Sequence, residues 1–116
     1  NIKEVGINNL IITNGASEYW IRSEEICPLN TVDLNNHEIK LYIDNNLVEK
    51  GNTNAVLGNP INSGVWLINK LAKLGEPMLK GQFITTGTCT KAVPLTSNSI
   101  IIADFGLLGK VEINYN

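Results

Sequence analysis

Histidine occurs once, at His37, and cysteine twice, at Cys27 and Cys89. So sparse a set has no zinc-type spacing. A disulfide between the two cysteines would need their Cα atoms within about 7 Å; two reduced thiols in a cytoplasmic protein are the plainer expectation. No apolar run approaches the roughly 20 residues that cross a bilayer, and no signal-peptide pattern opens the chain, so no membrane partner is expected. Neither sign of charge dominates: nine basic residues face eleven acidic ones, for a net charge of −2. Without a basic stripe, no nucleic-acid partner is expected. No Gly-x-Ser-x-Gly elbow supports a His37-based triad, and Gly106-Leu107-Leu108-Gly109 lacks the strand-to-helix setting of a phosphate loop. Glu24 and Glu25 are adjacent, which on a strand turns them to opposite faces. None of the 17 asparagines lies in an Asn-x-Ser/Thr acceptor.

What is present is a globular composition, 43% hydrophobic with 17% charged residues, in a length that makes one domain with a modest core. Asn9 to Thr13 reads as a short apolar strand ending at the Asn14-Gly15 turn, and Tyr19 to Arg22 as a second strand. Cys27 to Asn36 reads as a loop. Ile39, Leu41 and Ile43 alternate with Glu38, Lys40 and Tyr42. Asp44-Asn45-Asn46 can then turn the chain, and Leu47-Val48-Glu49 returns, which is a hairpin. A helix is predicted from about Pro60 to Leu74, with Asn59 as cap, Pro60 at its first position, a broad apolar stripe of Ile61, Val65, Ile68 and Ala72 with Leu71 and Trp66 beside them, and Gly75 with Pro77 at its end. Gln82 to Thr86 reads as a buried strand, followed by strands at Ser99–Phe105 and Lys110–Tyr115. The sum is α+β: a mostly antiparallel sheet or roll with one long helix packed on it.

The residues nominate few catalytic groups. His37 precedes a strand in a polar loop and reads as solvated. Thr85-Thr86-Gly87-Thr88-Cys89-Thr90 sets hydroxyls and an accessible backbone at a strand end, where they could hold a carboxylate or enolate oxygen. The competing reading is a turn whose threonines satisfy their own backbone. Asn14-Gly15-Ala16-Ser17 carries the same ambiguity.

Four stretches also resemble a known family in its own order. Val56-Leu57-Gly58-Asn59-Pro60-Ile61-Asn62 with Val65 to Ala72 resembles the signature helix of the 2-keto-4-pentenoate hydratases and 4-oxalocrotonate decarboxylases, within the fumarylacetoacetate hydrolase superfamily. Lys80 to Gly87 is similar to that family's strand ending in Thr-Gly. Ala103-Asp104-Phe105-Gly106-Leu107-Leu108-Gly109 resembles its penultimate turn, and Asn14 to Ser17 its Asp-Asn-Gly-Ser-Ser segment. The resemblance implies the C-terminal portion of a hydratase-type catalytic domain, residues 1–116 forming one partial domain with a fumarylacetoacetate hydrolase C-terminal-type fold; a start at Asn1 and not Met suits a piece of something longer.

It also implies a Mg²⁺- or Mn²⁺-dependent enzyme of aromatic catabolism that hydrates a 2-hydroxydienoate, the decarboxylase and a C–C bond hydrolase being the related alternatives. A small 2-keto acid is the implied substrate, with Ser17, Thr86 and Gly87 at its binding site. Ala16 and Thr13 depart from the family's first serine and its aspartate. The family's metal site, a Glu-x-Glu pair and a third glutamate, lies upstream of the matching stretches, and no Glu-x-Glu occurs in this sequence. No metal ligand is therefore assigned to this chain, and no catalytic residue. A non-catalytic remnant or partner-binding module is the reading from a different class. A truncated sheet leaves an edge open, so a homo-oligomer is expected.

Overall fold

The computed structural model describes residues 19–24 and 26–116. The expected strand over Asn9–Thr13 and the candidate site residue Ser17 lie outside them.

Strand β1 (Glu38–Ile43) and strand β2 (Asn46–Asn52) form the expected hairpin. Asp44 and Asn45 both take left-handed backbone, at φ 49° and 64°, the two-residue turn whose twist matches antiparallel strands. The ladder slips one residue after Leu41, which pairs with Glu49 while Tyr42 pairs with Leu47. Val48 is left over as a bulge.

Strand β3 (Ser99–Asp104) lies antiparallel beside β1, and strand β4 (Lys110–Tyr115) beside β3, giving the order β2-β1-β3-β4. Opposed residues share a face, so register sorts the sheet into two sides. Leu41, Ala103 and Val111 form one row, and Ile43, Ile101 and Ile113 the next, on the apolar side. Lys40, Asp104 and Lys110 line up on the polar side, followed by Tyr42, Ile102 and Glu112.

Helix α1 (Pro60–Lys73) starts where expected. The Asn59 side chain accepts from the Ile61 N–H at 2.9 Å, and Pro60 occupies the first turn. At the other end Gly75 N–H donates to Ala72 O and Glu76 N–H to Leu71 O. This paired return closes the last turn around Gly75. The asparagines knit the segments before the helix: Asn52 Nδ2 donates to Asn36 Oδ1 at 2.8 Å, Asn59 Nδ2 to Asn35 Oδ1 at 3.1 Å, and Asn62 Nδ2 to Leu57 O at 2.9 Å. Amides that both donate and accept suit such loop-to-helix ties.

Two expected strands are corrected. Tyr19–Arg22 forms no strand: the Trp20 ring lies 5.6 Å from the Phe83 ring, and the Arg22 guanidinium sits 4.9 Å over that same ring. Gln82–Thr86 forms none either, and within it only Ile84 and Thr86 are even half-buried. Its apolar side chains serve the helix instead. Trp20, Leu67, Leu71, Met78, Phe83 and Ile84 line one open cleft, and Ile84 Cδ1 lies 3.9 Å from the place a Cβ would take on Gly64.

Among the described residues the buried apolar side chains are Ile39, Val56 and Ile101, with Thr53 and Ser99 buried beside them. No helix there is long and apolar enough to cross a membrane.

Candidate functional site

The Thr-Gly segment reaches the apolar side of the sheet. A cleft of about 250 Å³ is lined by Ile39, Lys40, Leu41, Ala103 and Phe105 on the sheet side and by Gly87, Thr88, Cys89 and Thr90 on the other. Two glycines place the segment. Gly51 on β2 lies against the Cys89 backbone so closely that a Cβ there would sit 2.0 Å from the Cys89 carbonyl oxygen. Gly87 takes φ 122° and rests on buried Val56, whose Cγ1 is 3.5 Å from the place a Cβ would occupy.

Thr86 is half-buried and Gly87 exposed. Neither the Thr86 hydroxyl nor the Gly87 N–H bonds to another residue among those described. Thr88 does the opposite: its hydroxyl donates to Thr90 O at 2.9 Å and accepts from Thr90 N–H at 3.3 Å. The two readings of the threonine cluster thus divide within it. Thr88 closes its own turn, while the Thr86 hydroxyl and the Gly87 N–H have no partner among the described residues. Burial pushes the Cys89 thiol upward in pKa, which keeps it protonated and poorly nucleophilic at neutral pH. Cys27 and Cys89 are both free.

His37 is not the solvated side chain expected from its loop. Its Nε2 donates to the Phe105 carbonyl at 2.6 Å, its backbone N–H donates to Thr53 Oγ1, and its carbonyl accepts from Thr53 N–H. It fastens the start of β1 to the turn after β3. Gly106 must lack a side chain there: φ is 58°, and a Cβ would come within 3.2 Å of His37 Cε1. Asp104 completes the turn, accepting from Gly106 N–H at 2.9 Å and pairing with Lys110 at 2.9 Å. The Lys110 bond, then the Gly106 N–H, hold its carboxyl below the ordinary aspartate range.

Beside it His37, Glu38, Lys40, Asp104, Gly106 and Leu107 line a second hollow, of about 310 Å³. Its charges are matched: Glu38 lies 2.9 Å from Lys40 and 3.9 Å from Lys50. The Lys40 bond lowers the Glu38 pKa, and the same bond raises that of Lys40. Each therefore holds its usual charge at neutral pH.

Among the described residues no three of His, Cys, Asp and Glu come together as a cation site. The described residues do not fit a divalent ion.

Sequence reasoning missed Gly51 and the sheet residues that floor the cleft. A lone glycine inside a strand is a signal of close backbone approach, but the returning strand was expected only as far as Glu49. The floor residues alternate as any half-buried strand does, and alternation does not say what covers them.

The four-stranded antiparallel sheet with a single helix, carrying the Thr-Gly segment over its apolar side, is an α+β scaffold of the kind found in fumarylacetoacetate hydrolase C-terminal domains. No protein-family model matches the chain. A 2-keto-4-pentenoate hydratase of Paraburkholderia phymatum is 26% identical over 106 residues, which is 91% of this chain and 40% of the relative. A 4-oxalocrotonate decarboxylase of Pseudomonas putida is 32% identical over 107 residues, 92% of this chain and 40% of the relative. The solved structure of the 4-oxalocrotonate decarboxylase from Pseudomonas putida G7, complexed with magnesium and adipate, matches with a TM-score of 0.84 at 32% identity, covering 93% of this chain and 41% of that one.

The chain belongs to the family of 2-keto-4-pentenoate hydratases and 4-oxalocrotonate decarboxylases, and it corresponds to their C-terminal part. It spans about 40% of the length of the curated relatives it matches.

Proposed function

We propose that the protein carrying this chain is a metal-dependent hydro-lyase that hydrates a 2-hydroxydienoate of the 2-keto-4-pentenoate type to a 4-hydroxy-2-keto acid. The observation that carries this reading is the Gly87 N–H, without a partner among the described residues, at a cleft lined by Ile39, Lys40, Leu41, Ala103 and Phe105, with the Thr86 hydroxyl, equally unpartnered, on the preceding residue. A small 2-keto acid has a carboxylate and an enolisable carbonyl at one end and a hydrocarbon chain at the other. The cleft offers donors for the first and apolar surface for the second. Donors fixed where enolate charge develops stabilise it without reorganising.

In this reading Ser17 adds a third polar contact. The divalent ion, Mg²⁺ or Mn²⁺, would belong to the parent enzyme and would not be held by this chain alone. The enzyme works in the cytoplasm, on intermediates of aromatic catabolism.

A second reading, the decarboxylase, is favoured by one observation: the Pseudomonas putida decarboxylase is 32% identical, against 26% for the Paraburkholderia hydratase. Assay of the polypeptide that carries this chain, with Mg²⁺, separates the two. Loss of the dienol absorbance of 2-hydroxypentadienoate supports the hydratase. Carbon dioxide release from 4-oxalocrotonate without hydration replaces it by the decarboxylase. Turnover of neither leaves the non-catalytic reading standing.

A further inference from the structure

Thr53 is only 3% exposed, and it stands where the hairpin ladder ends. Glu38 and Asn52 form the last pair of β1 and β2. One step further on, Thr53 N–H donates to His37 O at 2.9 Å, as the next antiparallel pair would. The return bond differs. His37 N–H donates at 2.9 Å to the Thr53 hydroxyl oxygen. A pair of this type ordinarily exchanges two backbone bonds, so the hydroxyl stands in for the carbonyl of its own residue. The carbonyl thereby released accepts Val56 N–H at 3.1 Å and closes a 3₁₀ turn over Thr53–Ala55.

Both walls of the cleft hang from this junction. The turn carries buried Val56 to Gly87, its Cγ1 and Cγ2 lying 3.5 and 3.7 Å from the place a Cβ would take there. On the sheet side His37 Nε2 donates to Phe105 O at 2.6 Å, and Phe105 lines the cleft. Neither Thr53 nor His37 lines it. Two residues tied to each other by two bonds thus reach each wall through one contact.

We infer that Thr53 is a positioning residue for the Gly87 N–H. By replacing a ladder carbonyl, its hydroxyl makes the turn that sets Val56 against Gly87, while His37, held by the same hydroxyl, fixes Phe105 on the other wall. The inference rests on the reading of the cleft as a 2-keto acid site. Without the hydroxyl, the Thr53 carbonyl is the acceptor left for His37 N–H. The ladder then runs on by one pair, Val56 N–H loses its partner, and Val56 withdraws from Gly87. A hydrogen bond from Gly87 to a carboxylate is worth about tenfold in affinity, so a displaced N–H shows as weaker binding.

The test titrates the polypeptide that carries this chain with 2-oxopentanoate, followed by NMR. Thr53→Val keeps the branched shape and removes the hydroxyl. Its Kd is expected to rise about tenfold, with the Gly87 and Phe105 amides displaced before any ligand is added. Thr53→Ser puts the hydroxyl back and is expected to restore both. Ser99→Ala is the matched control. Its hydroxyl belongs to an equally buried residue, 2% exposed, and donates to Thr96 O at 2.6 Å, and neither residue lines the cleft. It is expected to lower stability and leave Kd unchanged. If Thr53→Val does not fold, Val56→Ala keeps the hydroxyl, removes the contact with Gly87 and is expected to weaken binding by itself. With the unchanged protein binding, three results overturn the inference alone: undiminished binding by Thr53→Val or its substitute, no recovery in Thr53→Ser, or equal weakening in Ser99→Ala. An unchanged protein that binds no 2-oxopentanoate overturns the 2-keto acid reading, and the inference with it.

Discussion

Replacing Gly51 by alanine probes the contact that holds the Thr-Gly segment on the sheet. The added methyl carbon would lie 2.0 Å from the Cys89 carbonyl oxygen, 2.6 Å from its carbon and 2.9 Å from Thr90 Cγ2, against ordinary contact distances from 3.4 Å. Two of the three atoms are backbone, so a side-chain rotation does not relieve the clash. The Cys89 peptide must retreat by roughly 1.4 Å, the difference between 3.4 and 2.0. Overpacking of this kind costs about 1–3 kcal/mol, and a backbone obstacle sets the expectation at the upper end. At a urea m-value of about 1.5 kcal/mol/M, a loss of about 3 kcal/mol lowers the midpoint by roughly 2 M.

Gly64→Ala is the matched control. Its Cβ meets only Ile84 Cδ1, at 3.9 Å, and alanine exceeds glycine in a helix by about 0.5–1 kcal/mol, so the midpoint is expected to rise. Urea unfolding followed by circular dichroism, with amide shifts of residues 86–90 read by NMR, checks both. A Gly51→Ala midpoint within about 0.3 M of the unchanged chain, with those amides unmoved, refutes the packing argument.

Other expectations follow from single contacts. Asn59→Ala removes the acceptor for Ile61 N–H and the tie to Asn35, and should cost about 1 kcal/mol in the same unfolding assay. His37→Phe keeps a ring but loses the donor to Phe105 O, with an expected loss of about 1–2 kcal/mol and shifted amide resonances in the Phe105–Gly109 turn. Because the Lys110 bond, then the Gly106 N–H, hold the folded pKa of Asp104 below the ordinary aspartate range, its contribution is complete above the unfolded value and is lost as pH falls through the folded one. Asp104→Asn should therefore lower stability at pH 7 and flatten the acid limb below about pH 4, as pH-dependent thermal melts would show.

The parts of the fold legible in the sequence are those whose signals are local. Asp44-Asn45 specifies a tight hairpin turn between alternating residues, and Asn59-Pro60 with Gly75 brackets the helix, so β1 and the helix fall within a residue or two of expectation, while β2 runs three residues past Glu49. Phe83 and Ile84 misled because an apolar pair reads alike whether it enters a sheet or supports a helix; here Leu67, Leu71, Trp20 and Arg22 claim it. Periodicity located the apolar positions of α1 without telling that the Leu67–Leu71 side packs inward and the Ile61–Val65–Ile68 side does not. His37 was misread because its partner, Phe105 O, is 68 residues away. Of the candidate site, Thr86 and Gly87 were named from the family resemblance; the sheet residues beneath them became visible only once β1 and β3 were side by side.

The most direct test of the account is to titrate the polypeptide that carries this chain with 2-oxopentanoate, an unreactive saturated 2-keto acid, and follow amide shifts by NMR. The account predicts saturable changes concentrated at Thr86–Thr90 and at Ile39, Leu41 and Ala103. Changes confined to the His37–Asp104 hollow, or none up to millimolar ligand, would contradict it.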